Sequence, residues 1–228
     1  MTAVSRLPVL LLPLLLLGGC GEDSTPQPQG PGHSRPGAAA DPVAAIERGE
    51  AGLTEVLPLL AGARDAMERA NLILRLYYLR GDPEVVSFLH RLWNEGPPPG
   101  SGLAPEAFAD PALRVALAHT LQRIEGGADS PWLRAIRAHL RHPDPLARAQ
   151  AAVALGFTGD DRDVAELEAI AREDIDYPAE AAIKSLAIRG SEAAREALVR
   201  LRDDPRLPPR RRTIARQVLV EAFREPHA

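Results

Sequence analysis

From Asp65 onward, apolar residues recur at intervals of three and four: Leu72, Leu76 and Leu79; Val85, Leu89 and Leu92; Leu117, Leu121 and Ile124; Leu133, Ile136 and Leu140. A period near 3.6 predicts amphipathic helices that each bury one stripe. Their ends carry chemical signals. In Asp110-Pro111 and Asp144-Pro145 the carboxylate can accept from the free N–H groups of a first turn, and the proline takes the first helical position, where no N–H is needed. The clearest unit runs from Asp144 to Asp160, with alanines interleaved with Val153, Leu155 and Phe157, which predicts one apolar face, and with Gly159 expected as a left-handed stop. Leu155 is expected in the core, and Glu168 on the wet face of the following helix.

The unit is repeated. Val164, Leu167 and Ile170 space a partner helix; a fourth copy runs from Asp174 through Ala182, Leu186 and Gly190 to Leu198 and Leu201; a fifth opens at Asp204-Pro205 and holds Ile214, Val218 and Phe223. The last four starts, Asp110, Asp144, Asp174 and Asp204, are 34, 30 and 30 residues apart, and Asp-x-x-x-Arg occurs at Asp65, Asp110 and Asp144. Such a period indicates a repeat architecture. The longer first step holds a Pro/Gly-rich insertion from Gly96 to Pro105, read as a loop between copies, and Asp41 to Arg64 is read as an irregular N-terminal cap in which Pro58 interrupts a helix. Few aromatics and abundant alanine suit close helix-on-helix packing, so the expected class is all-α, an α-solenoid of stacked antiparallel helix pairs over residues 41–228 with repeats from 65, 110, 144, 174 and 204.

The first forty residues differ. Arg6 precedes an apolar run from Leu7 to Leu17 that is too short for the ~20 residues of a membrane span, so it reads as a secretion signal. Leu17-Gly18-Gly19-Cys20 resembles the lipobox of bacterial lipoproteins, and the resemblance implies cleavage before Cys20 and acylation of its sulfur; the alternative is an ordinary signal peptide with an incidental cysteine. Residues 1–19 are then the signal peptide and 20–40 a Pro/Gly/Gln/Ser-rich tether averaging ~25 Å from end to end. Gly21 after the cysteine, rather than aspartate, implies by analogy the outer membrane facing the periplasm rather than the inner membrane. Cys20 is the only cysteine, which rules out a disulfide within the chain.

Asp-Pro-x-x-Arg, an alanine-rich first helix, Leu-Gly-x-x-Gly-Asp and an amphipathic second helix resemble HEAT repeats, in particular the short kind named from phycobilin lyases. The likeness covers Asp65 to Arg202 well and the ends poorly. Copy four has Ala179 where the arginine belongs and copy five has Arg210 two positions late, so the ladder of aspartate and arginine that the resemblance implies is expected to be incomplete at the C-terminal end. A lyase presenting a bilin is the enzymatic alternative, and it fits poorly with an exported lipoprotein.

Charge and candidate chemistry narrow the function further. A net charge of −4 gives no polyanion signal, so no nucleic acid is expected. Lys184 is the only lysine, which reads as compositional bias rather than phosphate recognition. His139 and His142 lack a carboxylate at a spacing that would complete a zinc set, no calcium loop, phosphate loop or Gly-x-Ser-x-Gly elbow occurs, and neither metal, cofactor nor catalytic residue is expected. What remains is a surface. In HEAT-like stacks the second helices line the concave side, which nominates His90, Arg91, Trp93, Arg134, Arg137 and Arg141 as a basic and aromatic face for a protein partner, with the bilayer engaged through acylated Cys20. Trp93 and Trp132 are also read as packing residues at repeat junctions. Arg210, Arg211, Arg212 and Arg216 read as the polar outer face of a terminal repeat. Reversing Arg134, Arg137 and Arg141 to glutamate is expected to leave the fold intact. The function expected is a membrane-anchored envelope lipoprotein whose solenoid binds or scaffolds another protein, with a passive spacer as the alternative.

Overall fold

A computed structural model describes residues 41–223; the signal segment, Cys20 and the tether lie outside the described residues. Helices α1 (Pro42–Arg48) and α2 (Leu53–Gly62) form the cap. Four pairs follow: α3 (Ala66–Arg75) with α4 (Pro83–Asn94), α5 (Pro111–Glu125) with α6 (Pro131–His139), α7 (Pro145–Thr158) with α8 (Val164–Glu173), and α9 (Asp176–Arg189) with α10 (Glu192–Asp203). α11 (Pro209–Phe223) closes the stack. Among the described residues there are no strands, and no helix is long and apolar enough to cross a membrane. Helices α3, α5, α7, α9 and α11 pack side by side as one layer, while α4, α6, α8 and α10 pack on them as a second. The architecture is an all-α solenoid.

The caps form as their chemistry dictates. Asp65, Asp82, Asp110 and Asp144 accept from N–H groups in the first turns of α3, α4, α5 and α7, and Ser130 and Ser191 do the same for α6 and α10. Proline holds the first position of α4, α5, α6 and α7. Two starts differ from expectation. Asp174 is engaged by Arg148, and α9 begins after it with no side-chain cap. Asp204 closes the end of α10, accepting from Arg206 N–H at 2.9 Å, and the last helix waits until Pro209 because a residue before proline is pushed out of helical conformation.

Gly159 ends α7 with a φ of −72°, so the left-handed stop expected there is absent. Close approach requires the glycine instead: a Cβ would lie 2.6 Å from Asp163 Oδ2 and 2.7 Å from the Leu155 carbonyl oxygen. Gly190, ending α9 with a φ of +65°, is left-handed, as is Gly49 after α1. Pro58 does not interrupt α2, since it sits on the exposed side, where water can serve the carbonyl left without a donor. The insertion after α4 is anchored, with Leu103 and Phe108 buried in the core.

Leu155 is fully buried, whereas Phe157 is 56% exposed and leaves the core face to which its apolar character assigned it. Next to Leu155, Gly156 lets α7 approach α9 so closely that a Cβ would meet the backbone of Ser185 at 3.0 Å. Leu155→Ala should therefore cost ~2–5 kcal/mol, read from urea unfolding followed by circular dichroism, because the rigid helix pair around it cannot collapse to fill the void.

Candidate protein-binding face

Each second-layer helix, and α2 of the cap before them, ends with carbonyls that lack an intrahelical donor. An arginine at the fourth position of the next first-layer helix supplies donors. Arg69 of α3 reaches the oxygens of Leu60 (3.3 Å) and Ala63 (3.0 Å) at the end of α2. Arg114 of α5 reaches Trp93 O at 2.7 Å, and Arg148 of α7 reaches His142 O and Pro143 O at 2.8 and 2.9 Å. In α9 that position is Ala179, but the rung is present: Arg211 of α11 donates to Ala171 O, Arg172 O and Asp174 O at 3.2, 3.1 and 2.6 Å. The gap left by Ala179 is filled from α11, while no arginine among the described residues serves the end of α10 in the same way, so the ladder stops one rung short at the C-terminal end. Arg211 is accordingly buried, not part of a wet terminal face. Arg148 also grips Asp174 with two bonds of 2.6 and 2.7 Å, which holds that carboxyl below the ordinary carboxylate range.

A second set of ion pairs joins neighbouring second-layer helices. Arg137 binds Asp163 at 2.6 and 3.0 Å and Asp160 at 3.4 Å. Asp163 is only 4% exposed. Arg141 meets Glu166 at 3.0 Å, and Glu168 sits between Arg172 (2.8 Å) and Arg200 (2.7 Å). Burial raises the Glu168 carboxyl, but hydrogen bonds from Arg200 and Arg172 outweigh it and leave the group lowered. Glu168 is thus not a wet-face residue. The expectation that Arg134, Arg137 and Arg141 form one binding stripe is corrected in part: Arg137 is a strut between α6 and α8, Arg141 projects with its side chain 84% exposed, and Arg134 is exposed and donates to the Asp129 carbonyl. Reversing all three would break the strut, so the fold would not survive unchanged.

The aromatic candidates form a cluster between the first two pairs. Trp93 and Trp132 meet edge to face at 5.3 Å, His90 meets Trp132 at 5.6 Å and pairs with Glu125, and Trp132 Nε1 donates to Glu125 at 2.7 Å. Arg114 lies 3.8 Å over the Trp93 ring. Trp132 is buried and Trp93 half-buried, which matches the packing role read for both. Arg91 is exposed at a shallow hollow shared with Leu53, Pro83, Glu84 and Ser87. Thus α4, α6 and the turn after α6 expose Arg91, Arg134 and Arg141, with His90 and Trp93 half-buried.

Residues on the first layer were missed by sequence reasoning. Tyr77, in the 3₁₀ turn Leu76–Leu79 that prolongs α3, carries Arg80 at 4.6 Å and Arg123 at 3.6 Å from its ring centroid. On α5, His119 stacks at 5.8 Å on the exposed Phe157 of α7. One signal was available: Leu155 and Phe157 are two positions apart, about 200° around a helix, and cannot share a face.

No group of three or more His, Cys, Asp or Glu among the described residues is placed to hold a metal ion. Residues 102–180 match the family model of HEAT repeats. With the all-helical stack, that match supports a HEAT-repeat protein. No curated protein matches the sequence.

Arg137→Ala would leave the Asp163 carboxylate buried without its partner and should cost roughly 2–4 kcal/mol in chemical unfolding. Arg141→Ala, at an exposed pair, should cost under ~0.5. Stability should also depend on pH in two windows. Burial, then the charge of Arg123, lowers His119 to about 3 from an ordinary 6.5, so the folded state holds it neutral. The unfolded chain binds the extra proton, and stability is complete above pH 6.5 and lost as pH falls toward 3, by up to ~1.4 kcal/mol per unit. Asp160, lowered to about 2 chiefly by Arg162, and Glu168, Asp174 and Asp204, also lowered, add a further loss only below their unfolded values near 4. Urea titrations from about pH 7 down to about 3 should show the first slope between about pH 7 and 5 in the natural chain and none there in His119→Leu, with the second loss, below about pH 4, kept by both.

Proposed function

We propose that the chain is a bacterial envelope lipoprotein, anchored through acylated Cys20 and carrying a HEAT-like solenoid that binds another protein. Residues 1–19 serve as the signal peptide, 20–40 as the tether and 41–228 as the binding body, on the outer membrane facing the periplasm. The observation that carries this reading is the stack itself. Four helix pairs and a closing helix lie in two layers, and stacked pairs present an extended surface of a kind suited to long partner segments. The buried carboxylate Asp163 and the buried Arg211 are spent on joining the pairs to one another, as structural parts of the stack. The Leu17-Gly18-Gly19-Cys20 stretch supports the anchor.

Two measurements test this. Cys20→Ala, or inhibition of the lipoprotein signal peptidase, should leave a protein of precursor mass that no longer partitions with membranes; processing at the same point without the cysteine would sink the anchor. Crosslinking in intact envelopes followed by affinity capture should return one reproducible partner, and a repeated blank would favour a passive spacer.

A further inference from the structure

Across the first layer runs a continuous row of side chains. Arg80 and Arg123 both lie over the ring of Tyr77, and Arg123 belongs to the same helix as His119, one turn away. His119 in turn stacks on Phe157 with the rings 27° from parallel. The row therefore runs from the 3₁₀ turn after α3 across the C-terminal half of α5 to the last turn of α7. Ile188 continues its chemistry on α9: it is 39% exposed and stands two residues before Gly190, as Phe157 stands two before Gly159.

Two features set this row apart. Arg80 and Arg123, like Arg91 and Arg134 and unlike Arg137, Arg148, Arg172 and Arg211, meet no carboxylate among the described residues, and they alone share one ring, that of Tyr77. Arg80 makes one hydrogen bond, to Tyr77 O at 3.3 Å. A guanidinium stacked over a ring keeps its in-plane N–H donors available for a carboxylate fork. Arg123 lies in the last turn of α5, where the helix dipole favours a cation, which accounts for its position but not for the missing counter-charge. Beside these cations Phe157 offers a large exposed aromatic surface, and the buried Nε2 of His119 beneath it has no hydrogen-bond partner.

We propose that this row, from Arg80 through Tyr77 and Arg123 to Phe157 and Ile188, docks an acidic segment of a partner protein, its carboxylates on the two arginines and a bulky apolar residue on Phe157. This rests on the reading of the chain as a protein-binding module and names both the face and the partner's chemistry. Charge complementarity selects the acidic occupant. A nucleic-acid strand would find two cations in a row with apolar residues beyond them, on a chain of net charge −4, too few for phosphate binding.

Short random peptides displayed on phage should be selected on the full chain, with counter-selection on the Arg80→Glu/Arg123→Glu double variant. The enriched peptides should pair Asp or Glu with Phe, Trp or Leu. Their Kd, measured by fluorescence anisotropy, should rise about ten-fold in Arg123→Glu and in Phe157→Ala, at unchanged helicity, and rise with added salt. Lysine-for-acid versions of the same peptides should not bind. Peptides that bind both variants as tightly as the natural chain would overturn this face while leaving a protein-binding function standing. Basic consensus peptides, or an oligothymidylate whose binding is lost in the double variant, would overturn the acidic partner. No enrichment at all would overturn this face and the protein-binding reading together.

Discussion

An arginine that satisfies the carbonyls at the end of the preceding helix is the interaction on which the stack depends. Short helices end every ten to fifteen residues here, and each buried end would otherwise carry oxygens with no donor, at a penalty of about 1–3 kcal/mol apiece. A guanidinium has five N–H groups in a fixed fork, so one side chain can serve two or three carbonyls and still grip a carboxylate. Arg148 does both, joining the end of α6 to Asp174 at the start of the next pair. Because the rungs of Arg114 and Arg148 join consecutive helix pairs, adding a pair there also completes the polar accounting of its neighbour.

The substitution of that arginine by Ala179 shows that the constraint belongs to the carbonyls rather than to a position in the repeat. The end of α8 still needs donors, and Arg211 reaches it from α11. The chain carries a run of arginines at the start of α11, an unfavourable place for cations given the helix dipole. The cost is offset because Arg211 spends its charge on oxygens of another helix end and Arg210 pairs with Glu180 at 2.5 Å.

The same economy shapes the surface. Arginines that join repeats cannot also recognise a partner without loosening the stack, which divides the basic residues into struts such as Arg137 and groups left for recognition such as Arg91, Arg80 and Arg123. The second-layer helices carry most of the struts, in the ladder from Arg137 to Arg200. The first layer carries Arg80 and Arg123, stacked on Tyr77 without a carboxylate, in one row with the exposed aromatic Phe157. A protein-binding solenoid built this way would keep rigidity and recognition on separate residues.

Much of the fold is written locally. Helical periodicity, Asp-Pro starts and the spacing of the copies determined the class, the pairing and most helix boundaries, because capping and amphipathicity act within a few residues of the chain. Leu155 could be placed in the core on that basis. Long-range partners could not. Glu168 and Arg137 look like ordinary wet-face charges in sequence, and only the juxtaposition of α6, α8 and α10 makes them struts. Gly159 reads as a left-handed stop until the approach of Asp163 shows that the space, not the handedness, demands glycine. Whether an arginine is a rung, a strut or an uncommitted cation depends on which carbonyl or carboxylate lies within a few ångströms, for Arg114 and Arg211 one 21 and 40 positions away, and only the tertiary structure decides it.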